Sequence, residues 1–308
     1  MEADSIVPIT DCADWRLSDE DFVAAFQLPT KGAGTLAQRN PMLREGRIHF
    51  EEITHVYTVD GAVKAPRSVT GFLHEYAGVF DSLLAIQSMK NGRDWAAKKS
   101  DLEEQGLGIA DNDFLERWKF KGEVARCRGH LLHWQCEQMV NGRPIEEPHS
   151  PEFQQAQQCY QRLLQRGLSP YRAEVNLFHC GLLLAGQPDL LMQAEDGSLV
   201  IVDWKRSKDI RFENRYGHLR PPLEHLPDCN YWLYSLQLNT YAYMLMSEYN
   251  TSVSGLFLIV VHPESPAGRL ISCPFLEKEM ADIVAYEIEC GRALCAAMPG
   301  ADAPFKCA

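Results

Sequence analysis

The segment Leu199-Val200-Ile201-Val202-Asp203-Trp204-Lys205 constrains the fold most. A run this rich in β-branched residues reads as a strand, and alternate side chains of a strand share a face. Ile201, Asp203 and Lys205 therefore point one way, while Val200, Val202 and Trp204 point the other. A carboxylate and an ammonium on one face of an otherwise apolar strand are costly to bury without a partner or a task. Just upstream, Gly186-Gln187-Pro188-Asp189 breaks the adjacent strand, where Asp189 can reach the same spot. Two Asp carboxylates beside a Lys make a site for a hard cation such as Mg²⁺ or Mn²⁺. The Lys can orient and help deprotonate a water attacking a phosphodiester.

The rest of the chain sets this strand in context. From residue 113 the pattern predicts a helix over 113–139, a helix over 151–165, and three strands over 171–179, 181–193 and 199–205. A helix over 231–249, a strand over 254–262 and a helix over 275–298 follow. Three consecutive strands with short links predict an antiparallel meander. Upstream, Ser18-Asp19-Glu20-Asp21 caps a short helix, residues 47–59 alternate and close at an Asp60-Gly61 hairpin turn, and residues 68–89 read as one helix. The division expected is an N-terminal extension over 1–112 and a core over 113–300.

Composition excludes several classes. With 308 residues, 45% of them hydrophobic, the chain can bury a large core and is not disordered. A net charge of −12 rules out a generic polyanion binder, since such affinity comes from Lys and Arg. Nucleic acid as a substrate stays open, through a local basic groove or cations held by carboxylates. No apolar run approaches the roughly 20 residues needed to span a membrane, and no secretory signal is read at the N-terminus. The ten cysteines form no CxxC pair, so they read as reduced thiols of an intracellular protein.

Pro188-Asp189 followed by Asp203-Trp204-Lys205 resembles the PD-(D/E)XK nuclease signature. Two further pieces are similar to its RecB-type, His-containing branch. Gln237-Leu238-Asn239-Thr240-Tyr241 looks like that branch's QxxxY motif, and Gly129 to His133 looks like its upstream GxxxH helix. The helix, three-strand meander, helix, strand order also resembles the superfamily's restriction-endonuclease-like α/β core. The resemblance covers residues 113–262, beyond a loose similarity of Ser68-Val69-Thr70 and Trp118 to viral-type members.

The resemblance implies roles for named residues. His133, Asp189, Asp203 and the backbone carbonyl of Trp204 would bind Mg²⁺ or Mn²⁺. Lys205 would position and activate the attacking water, and Glu174 would bind metal indirectly or orient that water. Gln237, Tyr241 and Tyr234 share one helix face, which taken alone is more often core, but here suits gripping a phosphate or stacking on a base. His130 is the weaker histidine, and Glu137, one turn after His133, divides evenly between ligand and ordinary charge.

Basic residues flank these motifs. Arg117, Lys119, Lys121, Arg126 and Arg128 precede His133, and Arg206, Lys208, Arg211, Arg215 and Arg220 follow Lys205. A charge run is usually a solvated face, yet two runs beside the site are what a nucleic-acid groove needs. Some relatives carry an iron–sulfur cluster; here Cys290, Cys295 and Cys307, with Cys127 or Cys136 upstream, lack the tight spacing such clusters use. The expectation is a metal-dependent DNA nuclease favouring single strands or ends. Two rivals are a non-cleaving module, with a protein partner on the N-terminal region, and a metallohydrolase of another class. The latter lacks an HExxH.

Overall fold

The computed structural model describes residues 14–29, 34–52, 54–61, 67–146 and 148–293. They fall into two compact units: residues 14–29 with 79–131, and residues 34–78 with 132–293. Among the described residues no helix is long and apolar enough to cross a membrane.

The smaller unit is helical. Helix α1 (Asp19–Ala25) starts as its sequence dictates, with the Ser18 side chain accepting the Asp21 N–H. Arg128 holds this cap in place: its guanidinium donates to Asp19 and to the carbonyls of Trp15 and Leu17, and it lies 4.4 Å from the Phe22 ring centroid.

The larger unit opens with helix α2 (Thr35–Arg39) and the hairpin of β1 (Ile48–Glu51) and β2 (Val56–Val59). The turn lies between Glu51 and Val56, not at Asp60-Gly61 as expected. Asp60 and Gly61 follow β2 with φ of 53° and 68°, and Asp60 pairs with Arg47 at 2.6 Å. After β3 (Arg67–Ser68), the single helix expected over 68–89 is two. Helix α3 (Val69–His74) is capped by Ser68, and α4 (Ser82–Lys90), in the smaller unit, by Asp81. The Asp81-Ser82 pair is a second start signal inside the apolar pattern, and it prevails. Helix α5 (Trp95–Glu104) follows, also in the smaller unit, and then α6 (Asp111–Val140), which contributes residues to both units.

The remaining elements build a covered sheet. Helix α7 (Pro151–Leu164) has Ser150 as N-cap and Pro at its first position, both favourable there. The five-stranded sheet has the order β10-β9-β8-β7-β4. Its strands are β4 (Ser169–Ala173), β7 (Leu190–Gln193), β8 (Leu199–Arg206), β9 (Val253–Val261) and β10 (Arg269–Ser272). The meander β4-β7-β8 is antiparallel and β9 joins β8 in parallel, across helix α8 (Asn230–Glu248). Val200, Val202 and Trp204 pack with Phe153, Tyr160 and Leu163 of α7 and with Leu132 and Cys136 of α6. Ile201, on the opposite face, packs with Leu191, Leu256 and Leu258 and with residues of α3, α8 and α9 (Glu277–Glu289). From Leu199 to Val202, β8 is thus apolar on both faces because both faces are covered. This is a mixed α/β, restriction-endonuclease-like architecture.

Two expected strands are each broken in two. Residues 171–179 supply the end of β4 and then β5 (Leu177–His179); residues 181–193 supply β6 (Leu184–Gly186) and then β7. The pieces β5 and β6 leave the main sheet and pair with β3 in a three-stranded one. The breaks fall at Glu174, with φ of 49°, and after Gly186. The expected final helix over 275–298 ends at Glu289, with Gly291 at φ 66° beyond it; its last residues lie outside the described ones. Strand β10, only four residues long, has no counterpart in the sequence reading.

Helix α9 carries a fully buried charged group. Glu287 on α9 accepts from Arg67, from the Tyr76 hydroxyl and from Arg292, each at 2.7 Å. Its side chain is 0% exposed, so this cluster ties β3 and the end of α3 to the last helix.

Candidate active site

Four elements meet around Asp189. The residue stands immediately before β7, and its Oδ2 accepts the Trp204 N–H of β8 at 2.7 Å. Its other oxygen lies 3.4 Å from His133 Nδ1 on α6. Glu174 is brought in from the end of β4, with an oxygen 4.0 Å from the same nitrogen. Among the described residues, the ligand atoms of His133, Glu174 and Asp189 all lie within 4.8 Å of one another.

The left-handed backbone of Glu174 is what aims it there. A non-glycine residue at positive φ is strained, and such strain persists only where the surroundings fix it. Here the Glu174 N–H donates to the Asp189 carbonyl at 3.0 Å. The Glu174 carbonyl accepts from Gln187 Nε2 at 2.7 Å. Gln187 sits inside the Gly186-Gln187-Pro188-Asp189 stretch, and its role as this clamp carries no signal in the sequence.

Asp203 and Lys205 lie side by side on one face of β8, as the period of two requires. Lys205 Nζ is 2.7 Å from Asp203 Oδ2 and donates to Gln237 Oε1 at 3.1 Å. It also stands 4.7 Å from the centroid of the Tyr234 ring, in cation–π range. Gln237 Nε2 reaches the Tyr241 hydroxyl at 3.5 Å. Tyr241 itself is buried against Gly186, where an added Cβ would come within 2.8 Å of both its ring and Val69. Glycine at 186 lets α8 approach the strands closely.

The remaining candidates are placed as follows. Arg206 pairs with Glu152 of α7 at 2.9 Å. Lys208 pairs with Glu264 on the surface. Arg128 belongs to the smaller unit, where it holds the α1 cap. Trp204 packs its ring in the core with 2% exposure. Glu137 is buried and lines a cavity of about 190 Å³ together with Glu174, Arg172 and Asn141. Cys127 and Cys136 are buried free thiols, while Cys295 and Cys307 lie outside the described residues.

Burial is the largest influence on His133, Asp189, Asp203 and Lys205. It pushes the His133 imidazole down, yet the Asp189, Glu174 and Asp203 carboxylates outweigh it and raise the group to about 9. Burial raises Asp203 to about 6, reinforced by Asp189 and opposed by Lys205. Burial would also raise Asp189, but His133, Lys205 and the Trp204 N–H hold it below its ordinary value. Burial would lower Lys205, but Asp203 and Asp189 hold it above its ordinary value. The pattern is a buried excess of negative charge.

That charge fits a divalent cation. The donor set is one imidazole nitrogen with carboxylate oxygens, a combination that can hold a divalent metal ion. Asp203 Oδ2 is a buried oxygen with the Lys205 ammonium 2.7 Å away.

Comparison with known proteins agrees on the family. A model of the PD-(D/E)XK nuclease superfamily matches residues 154–305. No curated protein matches the chain. Among solved structures it is similar to the protein SSO0001, at 16% identity and a TM-score of 0.29, over 57% of this chain and 66% of that one. The chain thus spans just under two thirds of that protein's length. It is also similar to a Eubacterium rectale protein described as a "putative exonuclease", at 12% identity and a TM-score of 0.33, over 78% of this chain and 91% of that one. At these scores neither likeness bears on site or substrate.

Proposed function

Because residues 154–305 belong to the PD-(D/E)XK nuclease superfamily, whose members are metal-dependent nucleases, we propose that this chain hydrolyses DNA phosphodiester bonds with Mg²⁺ or Mn²⁺. The observation that carries the reading is the convergence of His133, Glu174 and Asp189 within 4.8 Å, beside the Asp203–Lys205 pair. In this reading residues 113–300 carry the nuclease and residues 1–112 are an extension that can meet a protein partner. The preferred substrates are single strands or DNA ends, attacked as by an exonuclease, in an intracellular setting.

The cation would be held by His133, Glu174 and Asp189, with Asp203 and the Trp204 carbonyl completing the set. When bound, it supplies Lewis-acid charge to the phosphoryl oxygens and makes a coordinated water more acidic. Lys205, fixed between Asp203 and Gln237, presents an N–H donor that orients the attacking water. Gln237 and Tyr234 hold that ammonium in place and offer contacts to the substrate backbone. Gln187 keeps Glu174 in its left-handed conformation and so keeps the donor set assembled.

Gln187→Ala should therefore raise the Mn²⁺ concentration for half-maximal cleavage by about 10- to 100-fold, the scale of lost outer-sphere support at metal sites. A titration giving the wild-type midpoint would remove Gln187 from the site. The reading as a whole is tested by digesting 5′- and 3′-end-labelled single-stranded and duplex DNA, and closed circles, in Mg²⁺, Mn²⁺ or EDTA. Cleavage in either metal and none in EDTA is expected, with the labels giving polarity and the circles the need for an end. DNA bound but uncut in every lane would make the chain a non-cleaving binder.

A further inference from the structure

The loop between β8 and α8 carries a feature that the site does not use. Tyr216 is 99% exposed and Phe212 48% exposed. Arg211, Arg215 and Arg220 are exposed around them. Among the described residues no carboxylate pairs with these three arginines, whereas Arg206 and Lys208 just upstream are both paired. In a chain with 42 acidic and 30 basic residues, three unpaired arginines within ten positions run against the overall balance.

The loop is held in shape by its own hydrogen bonds. Asn214 Nδ2 donates to the Asp228 carbonyl at 2.7 Å. The Asp228 N–H donates to Gly217, Leu219 to Leu226, and Arg220 to the Tyr76 carbonyl at 2.7 Å. The exposed Tyr216 ring is thus displayed on a fixed support. The same loop is tied to the site. The Arg211 N–H donates to Asn230 Oδ1, and Trp232 Nε1 donates to the Phe212 carbonyl. The Phe212 ring lies 4.4 Å from Tyr231, one helical turn before Tyr234, whose ring faces Lys205. The loop is thus fastened to the first turn of α8, the helix that presents Tyr234 to Lys205.

We propose that residues 211–220 form the platform on which a single strand of nucleic acid lies as it enters the site, with Tyr216 and Phe212 stacking on bases and Arg211, Arg215 and Arg220 holding phosphates. This rests on the nuclease reading above. Exposed rings interleaved with cations suit an unpaired strand, whose bases have free faces. In a duplex those faces are already stacked, so the rings gain nothing from it.

The test is binding of a fluorescein-labelled oligothymidine of about 20 nucleotides, enough to cover one such site, and of a duplex of equal length. Anisotropy is measured with Ca²⁺ in place of the catalytic cation, for wild type, Tyr216→Ala and Arg211→Ala/Arg215→Ala. Tyr216→Ala should bind the single strand about tenfold more weakly, the scale of one lost base stack, with duplex binding unchanged. The double arginine variant should also flatten the salt dependence, by about 0.7 in log–log slope per lost single-strand contact. Equal loss on both substrates would overturn the single-strand assignment. If wild type binds and cuts single strands but the variants bind them as tightly, the platform fails while the nuclease reading stands. If wild type neither binds nor cuts either substrate, both fail together. Both variants alter exposed side chains, and an unchanged melting temperature confirms that binding alone is being compared.

Discussion

Lys205→Ala lowers the single-turnover rate of DNA cleavage by on the order of 10³-fold, the upper range for removing one aimed donor from an active site. DNA affinity stays within a few-fold of wild type. The split follows from geometry: Lys205 Nζ lies between Asp203 Oδ2 and Gln237 Oε1, beneath the Tyr234 ring, where it can reach an attacking water. The change also leaves the Asp203 carboxylate, 2% exposed, without its ion pair. A thermal melt run alongside separates a lost catalytic group from a loosened fold. Wild-type cleavage by a folded Lys205→Ala protein would remove Lys205 from the reaction.

Glu287→Ala has the largest expected effect on stability, about 1–3 kcal/mol, the scale for hydrogen bonds to a buried carboxylate whose arginine partners stay partly open to water. Two guanidinium groups, Arg67 and Arg292, would lose the carboxylate between them, and the Tyr76 hydroxyl its acceptor. The pH dependence has a definite sign. Burial would raise the Glu287 carboxyl, but Arg292, Tyr76 and Arg67 hold it down to about 2 against an ordinary 4.5. A depressed carboxylate contributes its full stability above its unfolded value and loses it as pH falls through the folded value. Wild type should therefore lose stability between pH 4.5 and about 2 more steeply than Glu287→Gln. Urea melts across that range check it, and parallel curves would remove Glu287 as the cause.

What the sequence makes legible follows from what has a period. Strand β8 alternates cleanly, so its sequence alone puts Asp203 and Lys205 on one face and Trp204 on the other. Asp189 was placed by the Gly and Pro that interrupt its strand, and Gln237 by helical spacing. The breaks were harder. Nothing in Tyr171 to His179 announces that Glu174 turns left-handed, because glutamate has no preference for that conformation; the surrounding hydrogen bonds impose it. For the same reason the inserted pieces β5 and β6 read as continuations of the main strands. The split between α3 and α4 did carry a signal, Asp81 as an N-cap, masked by the apolar residues on either side. Gln187 is a tertiary clamp on a distant carbonyl, and no local pattern encodes such a contact.

The parallel pairing of β8 with β9 also closes a far longer stretch of chain than the hairpin beside it. Strands β7 and β8 are joined by residues 194–198, whereas β8 reaches β9 only across residues 207–252. For a flexible connection the longer closure costs ~2 kcal/mol more in chain entropy. The hairpin bearing Asp189, Asp203 and Lys205 is therefore cheap to close, but a lone hairpin is marginal in water. Its reactive groups gain fixed positions only when α6 and α8 dock from either side in sequence. The site therefore depends on contacts made far along the chain: Asp203 and Lys205 stand on the hairpin, but the Gln237 that holds Lys205 comes from beyond residue 229.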